Sequence, residues 1–233
     1  MGMDKKALAA KYRGLLALAC GVRNLPSRLS IQKKGTGNQV QIRCALLRGC
    51  HIHIRGNNNR VIVEDFSQLK NMSIHIGGSN NTIHISKWCT LTDVTICIED
   101  SGNTISLGEH TRILGNTELA AIEGTSIRIG AECLFSSGIH FRTGDSHSVV
   151  DLQGKRINPS RDIVIGNHVW IGTQVTCLKG ARVADNCIIG ACALVTGTFP
   201  EENCALAGVP AKVVRRDVNW DIRRLPMEDS TKS

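Results

Sequence analysis

The chain has 233 residues, enough for one large domain or two small ones with a substantial hydrophobic core. Only 3% of the residues are aromatic, so that core must consist of small and branched aliphatic side chains. The net charge of +8 favours an anionic partner. Because the aromatic-plus-basic pattern of nucleic-acid-binding domains is lacking, we expect no nucleic acid among its ligands.

Residues 1–29 predict a short amphipathic helical segment. Its apolar run extends only from Leu15 to Val22, which is too short to span a bilayer. Packing on the body of the protein is the favoured interpretation, and peripheral contact with a membrane surface is the weaker alternative.

The ten cysteines form no C-x-x-C pair. Cys177 and Cys187 occupy positions that aliphatic or small residues hold in neighbouring repeats. This pattern is typical of buried thiols in a reducing compartment, so we expect a cytoplasmic protein, and Cys177 is not favoured as a nucleophile.

Residues 30–130 repeat with a period of about 22. The segments "GNQVQI", "NNRVIV", "NNTIHI", "GNTISL" and "GTSIRI" recur at intervals of 21, 22, 22 and 22 residues. Asn- and Gly-rich stretches lie between them, and both residue types tolerate positive φ angles at turns. Residues 30–100 carry no further motif that we can assign.

Farther along the chain, aliphatic or small residues recur at intervals of six: Ile165, Ile171, Cys177, Val183, Ile189 and Val195. Six residues advance an α-helix by about 600°, so this pattern cannot stay on one helical face. A triangular prism of short strands keeps each of these side chains inward. The repeats predict an all-β solenoid of about seven coils.

One stretch, "RTGDSHSVVDLQGKRINPSRD", interrupts the repeats at residues 142–162. We call it the excursion loop. The flat sides of a β-solenoid form no natural pocket, and a loop that leaves them supplies one wall of a cleft. His147 near the loop's centre is a candidate general base, because imidazole titrates near neutral pH.

The segments "HVWIG", "GACALVT" and "AGVPAKVVR" resemble those of the hexapeptide-repeat acyltransferases. The stretch "HFRTGDSHSVVD…GKRINP…IVIGNHVWIG" is similar to bacterial capsule and surface-polysaccharide O-acetyltransferases, including those acting on polysialic acid. The resemblance implies a left-handed parallel β-helix at residues 30–216. A tail at 217–233 completes the expected organisation.

The same resemblance implies that acetyl-CoA donates an acetyl group to a sugar hydroxyl by direct attack, with no metal. It makes His147 the base and Trp170 a catalytic residue that also meets the donor. His140 competes for the role of base. Asp145 either orients the imidazole or serves as a turn residue.

Donor contacts also follow from the family's motifs. The family-matched positions are Ala191, Thr196, Lys212 and Arg215. Thr173 and the backbone amides near Gly172 are candidates to stabilise the developing oxyanion. Relatives often have a lysine after "VT", where this chain has Gly197, so one phosphate contact is expected to be missing or supplied elsewhere.

The acceptor is expected to be an acidic saccharide, because basic residues lie on or beside the excursion loop. Arg142 and Arg156, together with Asp145, are the candidate acceptor-binding residues. The family implies a homotrimer with sites between neighbours. The alternatives are N-acetyl transfer to an amino sugar, a γ-carbonic-anhydrase-like zinc protein, and a solenoid binding module without enzymatic activity.

Overall fold

The computed structural model describes residues 29–226, together with the single position Gly14. Twenty-five strands in this part of the chain form three sheets.

Sheet A contains β1 (Ser30–Lys34), β4 (His51–Arg55), β7 (Ser73–Gly77), β10 (Val94–Ile98), β13 (Thr117–Ala121), β16 (Ile139–Arg142), β19 (Thr176–Leu178) and β22 (Leu194–Val195). Sheet B contains β2 (Gln39–Ile42), β5 (Arg60–Val63), β8 (Thr82–Ile85), β11 (Thr104–Leu107), β14 (Ser126–Ile129), β17 (Ile163–Ile165), β20 (Arg182–Val183) and β23 (Thr198–Phe199). Sheet C contains β3 (Leu46–Arg48), β6 (Gln68–Lys70), β9 (Thr90–Thr92), β12 (Arg112–Ile113), β15 (Leu134–Phe135), β18 (Trp170–Ile171), β21 (Ile188–Ile189), β24 (Ala205–Ala207) and β25 (Lys212–Arg215).

Each strand up to β21 pairs in parallel with the strand three positions later, so one coil contributes one strand to each sheet. The expected left-handed parallel β-helix is confirmed. The described part forms eight coils, close to the predicted seven; the last coil, β22–β24, keeps the spacing of six only as far as Val195. At about 4.8 Å between strands, eight coils extend about 34 Å along the axis.

The aliphatic repeats form the core, as the spacing predicts. Ile83, Ile105 and Ile127 lie in register on successive strands of sheet B and are fully buried. Sheet C continues the core with Leu91, Ile113 and Phe135. Burying one such side chain stabilises the folded state by about 1.5–3 kcal/mol, and every repeat adds further side chains of this kind.

The extra residues of the long coils lie at the corner where the chain passes from sheet A to sheet B, which we call the A–B corner. Asn59, Asn81 and Asn103 are buried there. The side-chain amide of Asn81 donates to Asn59 Oδ1 at 3.0 Å, and that of Asn103 donates to Asn81 Oδ1 at 3.2 Å. This ladder satisfies polar groups that would otherwise be costly to bury. Gly56 has φ 124°, and a Cβ atom there would lie 1.9 Å from Gly78 O.

The excursion loop leaves the prism at the same corner, between the end of β16 and the start of β17. A bridge between Val150 and Arg156 closes its middle into a hairpin. At the other end of the molecule, β25 pairs antiparallel to β24.

The expected N-terminal helical segment, residues 1–29, lies outside the described residues except for positions 14 and 29. Within the described part of the chain, no helix has the length and apolar character needed to cross a membrane.

Candidate active site

The buried side chain of Asn158 holds the excursion loop together from within. Its amide nitrogen donates to Asp145 Oδ2 at 2.7 Å and to the backbone oxygen of His147 at 2.8 Å. Its Oδ1 accepts from the amide of Val149 at 2.8 Å and from Arg156 Nε at 3.0 Å. Asn158 therefore determines the course of the backbone on both sides of the candidate base.

Asp145 is paired with Lys179, which lies at the A–B corner of the next coil. Hydrogen bonds from Lys179 and Asn158 lower the pKa of the Asp145 carboxyl below its ordinary value. The carboxylate thus ties the loop to the prism, and its Oδ2 atom is occupied by these two partners.

The two arginines predicted to bind the acceptor also make contacts within the chain. Arg142 lies 3.3 Å from Glu99 and 3.7 Å from Glu118. Arg156 pairs with Glu123, and this hydrogen bond lowers the pKa of the Glu123 carboxyl to about 2. Both ion pairs position the loop, and acceptor binding by these residues stays a prediction.

The two candidate bases differ in their surroundings. His147 is exposed on the loop, and its backbone oxygen is held by Asn158. His140 faces outward from β16, and its Nδ1 lies 3.3 Å from Glu118 Oε2. The exposed imidazole of His147 is accessible to a substrate that approaches the loop.

Trp170 begins β18 on sheet C and points outward, as the alternation with buried Ile171 predicts. Its side chain is 39% exposed. Its ring lies 6.4 Å from that of Trp220, which comes from the C-terminal residues.

The predicted donor contacts fall at three places. Thr173 and Ala191 are exposed at the corner where the chain passes from sheet C to sheet A, and Lys212 and Arg215 are exposed on β25 of sheet C. Thr196 follows β22 and lies at the A–B corner instead. The nearby amide of Gly172 donates to Ile189 O at 2.8 Å, so it is not free to bind an oxyanion.

The candidate base and the outward tryptophan lie on opposite sides of the prism. His147 and Thr196 belong to the A–B corner, whereas Trp170, Lys212 and Arg215 belong to sheet C. In a triangular prism the corner between two faces lies opposite the third face. One chain therefore does not bring His147 and Trp170 together.

Cys177 is fully buried in the core, and burial raises the pKa of its thiol far above its ordinary value. Such a thiol stays protonated and is a poor nucleophile. Among the residues that the structure describes, no group of three His, Cys, Asp or Glu side chains is placed to hold a metal ion.

Sequence reasoning missed the residues that anchor the loop: Glu99, Glu123, Asn158 and Lys179. Apart from Arg156, which is two residues from Asn158, their partners lie 9 to 47 residues away in the chain, so no local pattern shows them. Trp220 was also missed, although one of only three tryptophans invites a role.

Comparison with known proteins gives a consistent assignment. The family model for the bacterial transferase hexapeptide (six repeats) matches residues 162–197. A polysialic acid O-acetyltransferase of Neisseria meningitidis is 32% identical over 108 residues, which is 46% of this chain and 50% of that protein. The alignments with the first curated relatives thus span about half of their length or less.

Two solved structures match over more of the chain. The polySia-specific acetyltransferase NeuO has a TM-score of 0.77 and 29% identity, covering 86% of this chain and 91% of its own. The polysialic acid O-acetyltransferase OatWY has a TM-score of 0.78 and 31% identity, covering 87% and 94%. The chain therefore belongs to the hexapeptide-repeat acyltransferase family, in which it resembles the polysialic acid O-acetyltransferases.

Proposed function

We propose that this protein is an acetyl-CoA-dependent O-acetyltransferase that acts on a hydroxyl of an acidic surface polysaccharide, such as polysialic acid in a capsule. The observation that carries the proposal is the 31% identity to OatWY over 94% of that chain, on the same fold. The anchored loop that presents His147 gives the fold a chemical group at which transfer can occur.

The reaction needs one base and no covalent enzyme intermediate. The imidazole of His147 removes the proton from the sugar hydroxyl as its oxygen attacks the thioester carbonyl. The carbon–sulfur bond then breaks, the thiolate of coenzyme A leaves, and the proton on the imidazole passes to the sulfur. The products are an acetyl ester and coenzyme A, and His147 returns to its starting state.

In this proposal the donor lies along the outer surface of sheet C and the corner where the chain passes from sheet C to sheet A. Small side chains such as Ala191 leave room for the pantetheine arm, and the indole N–H of Trp170 is available near the thioester. Lys212 and Arg215 are exposed on β25 and suited to the phosphates.

The site requires a second copy of the chain, and we propose a homotrimer. The placement of His147 and Trp170 on opposite sides of the prism supports this arrangement. The hairpin of the excursion loop also exposes four aliphatic side chains: Val149, Val150, Leu152 and Ile157. Leu152 is fully exposed, which is typical of a surface that another chain covers.

We also propose that the enzyme works in the cytoplasm, where acetyl-CoA is available. All nine cysteines in the described part of the chain are free thiols, which suits a reducing compartment.

The test is acetyl-CoA consumption with purified protein against polysialic acid, other acidic polysaccharides, neutral sugars and amino sugars. The proposal predicts transfer to an acidic polymer, giving an ester that hydroxylamine removes. A product that resists hydroxylamine would indicate N-acetyl transfer. No transfer to any saccharide would contradict the proposal.

A further inference from the structure

A groove of about 500 Å³ lies on the outer surface of sheet C. Its lining includes His110, Arg112, Glu132, Leu134, Trp220 and Ile222. This volume falls within the range of ordinary ligand pockets, about 300–1,000 Å³. None of these residues belongs to the donor or catalytic positions described above.

The C-terminal residues form one wall of the groove, and their position is fixed. The indole nitrogen of Trp220 donates to the backbone oxygen of His168 at 2.8 Å, and the two rings stack at 4.3 Å. The amide of Val218 donates to Asn203 O at 2.9 Å. These contacts bring the segment back across sheet C and hold Trp220 beside the groove.

The groove continues directly from Trp170. Arg112, Leu134 and Trp170 are register partners on β12, β15 and β18, so they occupy one outward-facing row of sheet C. Two strand spacings separate Arg112 from Trp170, or about 10 Å. Trp220 joins the two regions, since its ring lies 6.4 Å from that of Trp170.

The lining combines apolar surface with polar groups. Trp220, Leu134 and Ile222 offer an apolar surface, whereas Arg112 and Glu132 carry charge. Sugar rings match such a surface, because they present C–H groups on their faces and hydroxyls around their edges. Asp221 also lines the groove, and Arg223 neutralises it through a hydrogen bond of 2.6 Å.

The aliphatic hairpin of a neighbouring copy fits this lining less well. Its exposed aliphatic side chains, Val149, Val150, Leu152 and Ile157, offer no hydrogen-bonding group to Arg112 or Glu132, and the exposed Lys155 of the same hairpin carries the same charge as Arg112. Covering those charges without a partner would be costly. Sugar hydroxyls, in contrast, hydrogen-bond to both residues.

We propose that this groove is a subsite for the acceptor saccharide, which binds the sugar units next to the one that is acetylated. The inference rests on the proposed function. It adds a binding place for the polysaccharide units next to the reacting hydroxyl. It assigns Trp220 as the stacking residue and Arg112 as a hydrogen-bond donor.

The test measures binding of polysialic acid without acetyl-CoA, together with transfer kinetics, for Trp220→Ala and Arg112→Gln. Arg60→Gln is the matched control, because Arg60 is an exposed strand residue on sheet B. We expect the dissociation constant and the acceptor KM of the Trp220 variant to rise about tenfold, the size of a lost aromatic contact. The Arg112 variant should show a smaller rise. The control, the KM for acetyl-CoA and the oligomeric mass should stay unchanged.

Long polysialic acid chains should be affected more than the shortest chains that the enzyme accepts. Unchanged binding by both variants, or no binding by the wild-type protein, would overturn the subsite. Loss of oligomeric mass in both variants would also overturn it, because the groove would then be a contact between copies. Binding that depends on Trp220 without any transfer would instead contradict the proposed function and leave the subsite standing.

Discussion

Asp145 and His147 are two residues apart, yet their side chains are used differently. The carboxylate of Asp145 is bound to Lys179 and Asn158, whereas the imidazole of His147 faces solvent. The sequence predicted a role for each residue from motif and residue type alone. It could not reveal the partners of Asp145, because Lys179 comes from the next coil.

Replacing His147 by alanine should lower kcat by about 10²–10⁴, because the base is lost. Steady-state kinetics with acetyl-CoA and polysialic acid measures this effect, and a far-UV spectrum with coenzyme A binding confirms an intact fold. His140→Ala is the control, since His140 pairs with Glu118 on the neighbouring strand. A fully active His147 variant beside an inactive His140 variant would reverse the assignment.

Replacing Lys212 or Arg215 by alanine should raise the KM for acetyl-CoA more than it lowers kcat, because phosphate contacts bind ground and transition states alike. Arg216→Ala is a control on the same segment, since Arg216 bonds to Glu201 at 2.9 Å. If neither variant changes that KM, the phosphates bind elsewhere.

At the scale of elements, the repeats and the bounds of the excursion loop were predictable, and the path of the loop was not. A period of six or 22 residues determines which side chains face inward, so the core follows from the sequence. The path of the loop depends instead on single distant contacts, such as the one between Arg156 and Glu123. The predicted bounds of 30–216 include all of the strands, and the predicted count of about seven coils is one short of the eight in the sheets.

Asn158 positions the loop, so Asn158→Ala should lower kcat about 10- to 100-fold through misplacement of His147. The KM for acetyl-CoA should change less than twofold. Hydrogen exchange at residues 142–162 should become faster while the prism stays protected. Gln153→Ala, at the exposed hairpin tip, is the matched amide control and should be neutral. Normal kcat in the Asn158 variant would show that the loop needs no such anchor.

At the scale of the whole molecule, we expect the surplus of positive charge to attract an acidic acceptor. Screening shortens the reach of exposed charges from about 10 Å at 0.1 M salt to about 3 Å at 1 M. The KM for an acidic polysaccharide should therefore rise steeply with salt. Lys155→Glu should raise it further while leaving the pair of Arg156 and Glu123 intact, and Arg60→Glu on sheet B is the control. Equal KM values at both salt concentrations would show that charge does not contribute to acceptor binding.

The central claim is that the active site combines His147 of one copy with Trp170 of another. Co-expression of His147→Ala and Trp170→Ala chains under two different tags, followed by purification through both tags, yields mixed oligomers. In a mixed cyclic trimer one of three sites has both native residues, so about a third of wild-type transfer activity is expected, although each variant alone is nearly inactive. Mixed oligomers no more active than their parents would contradict the claim.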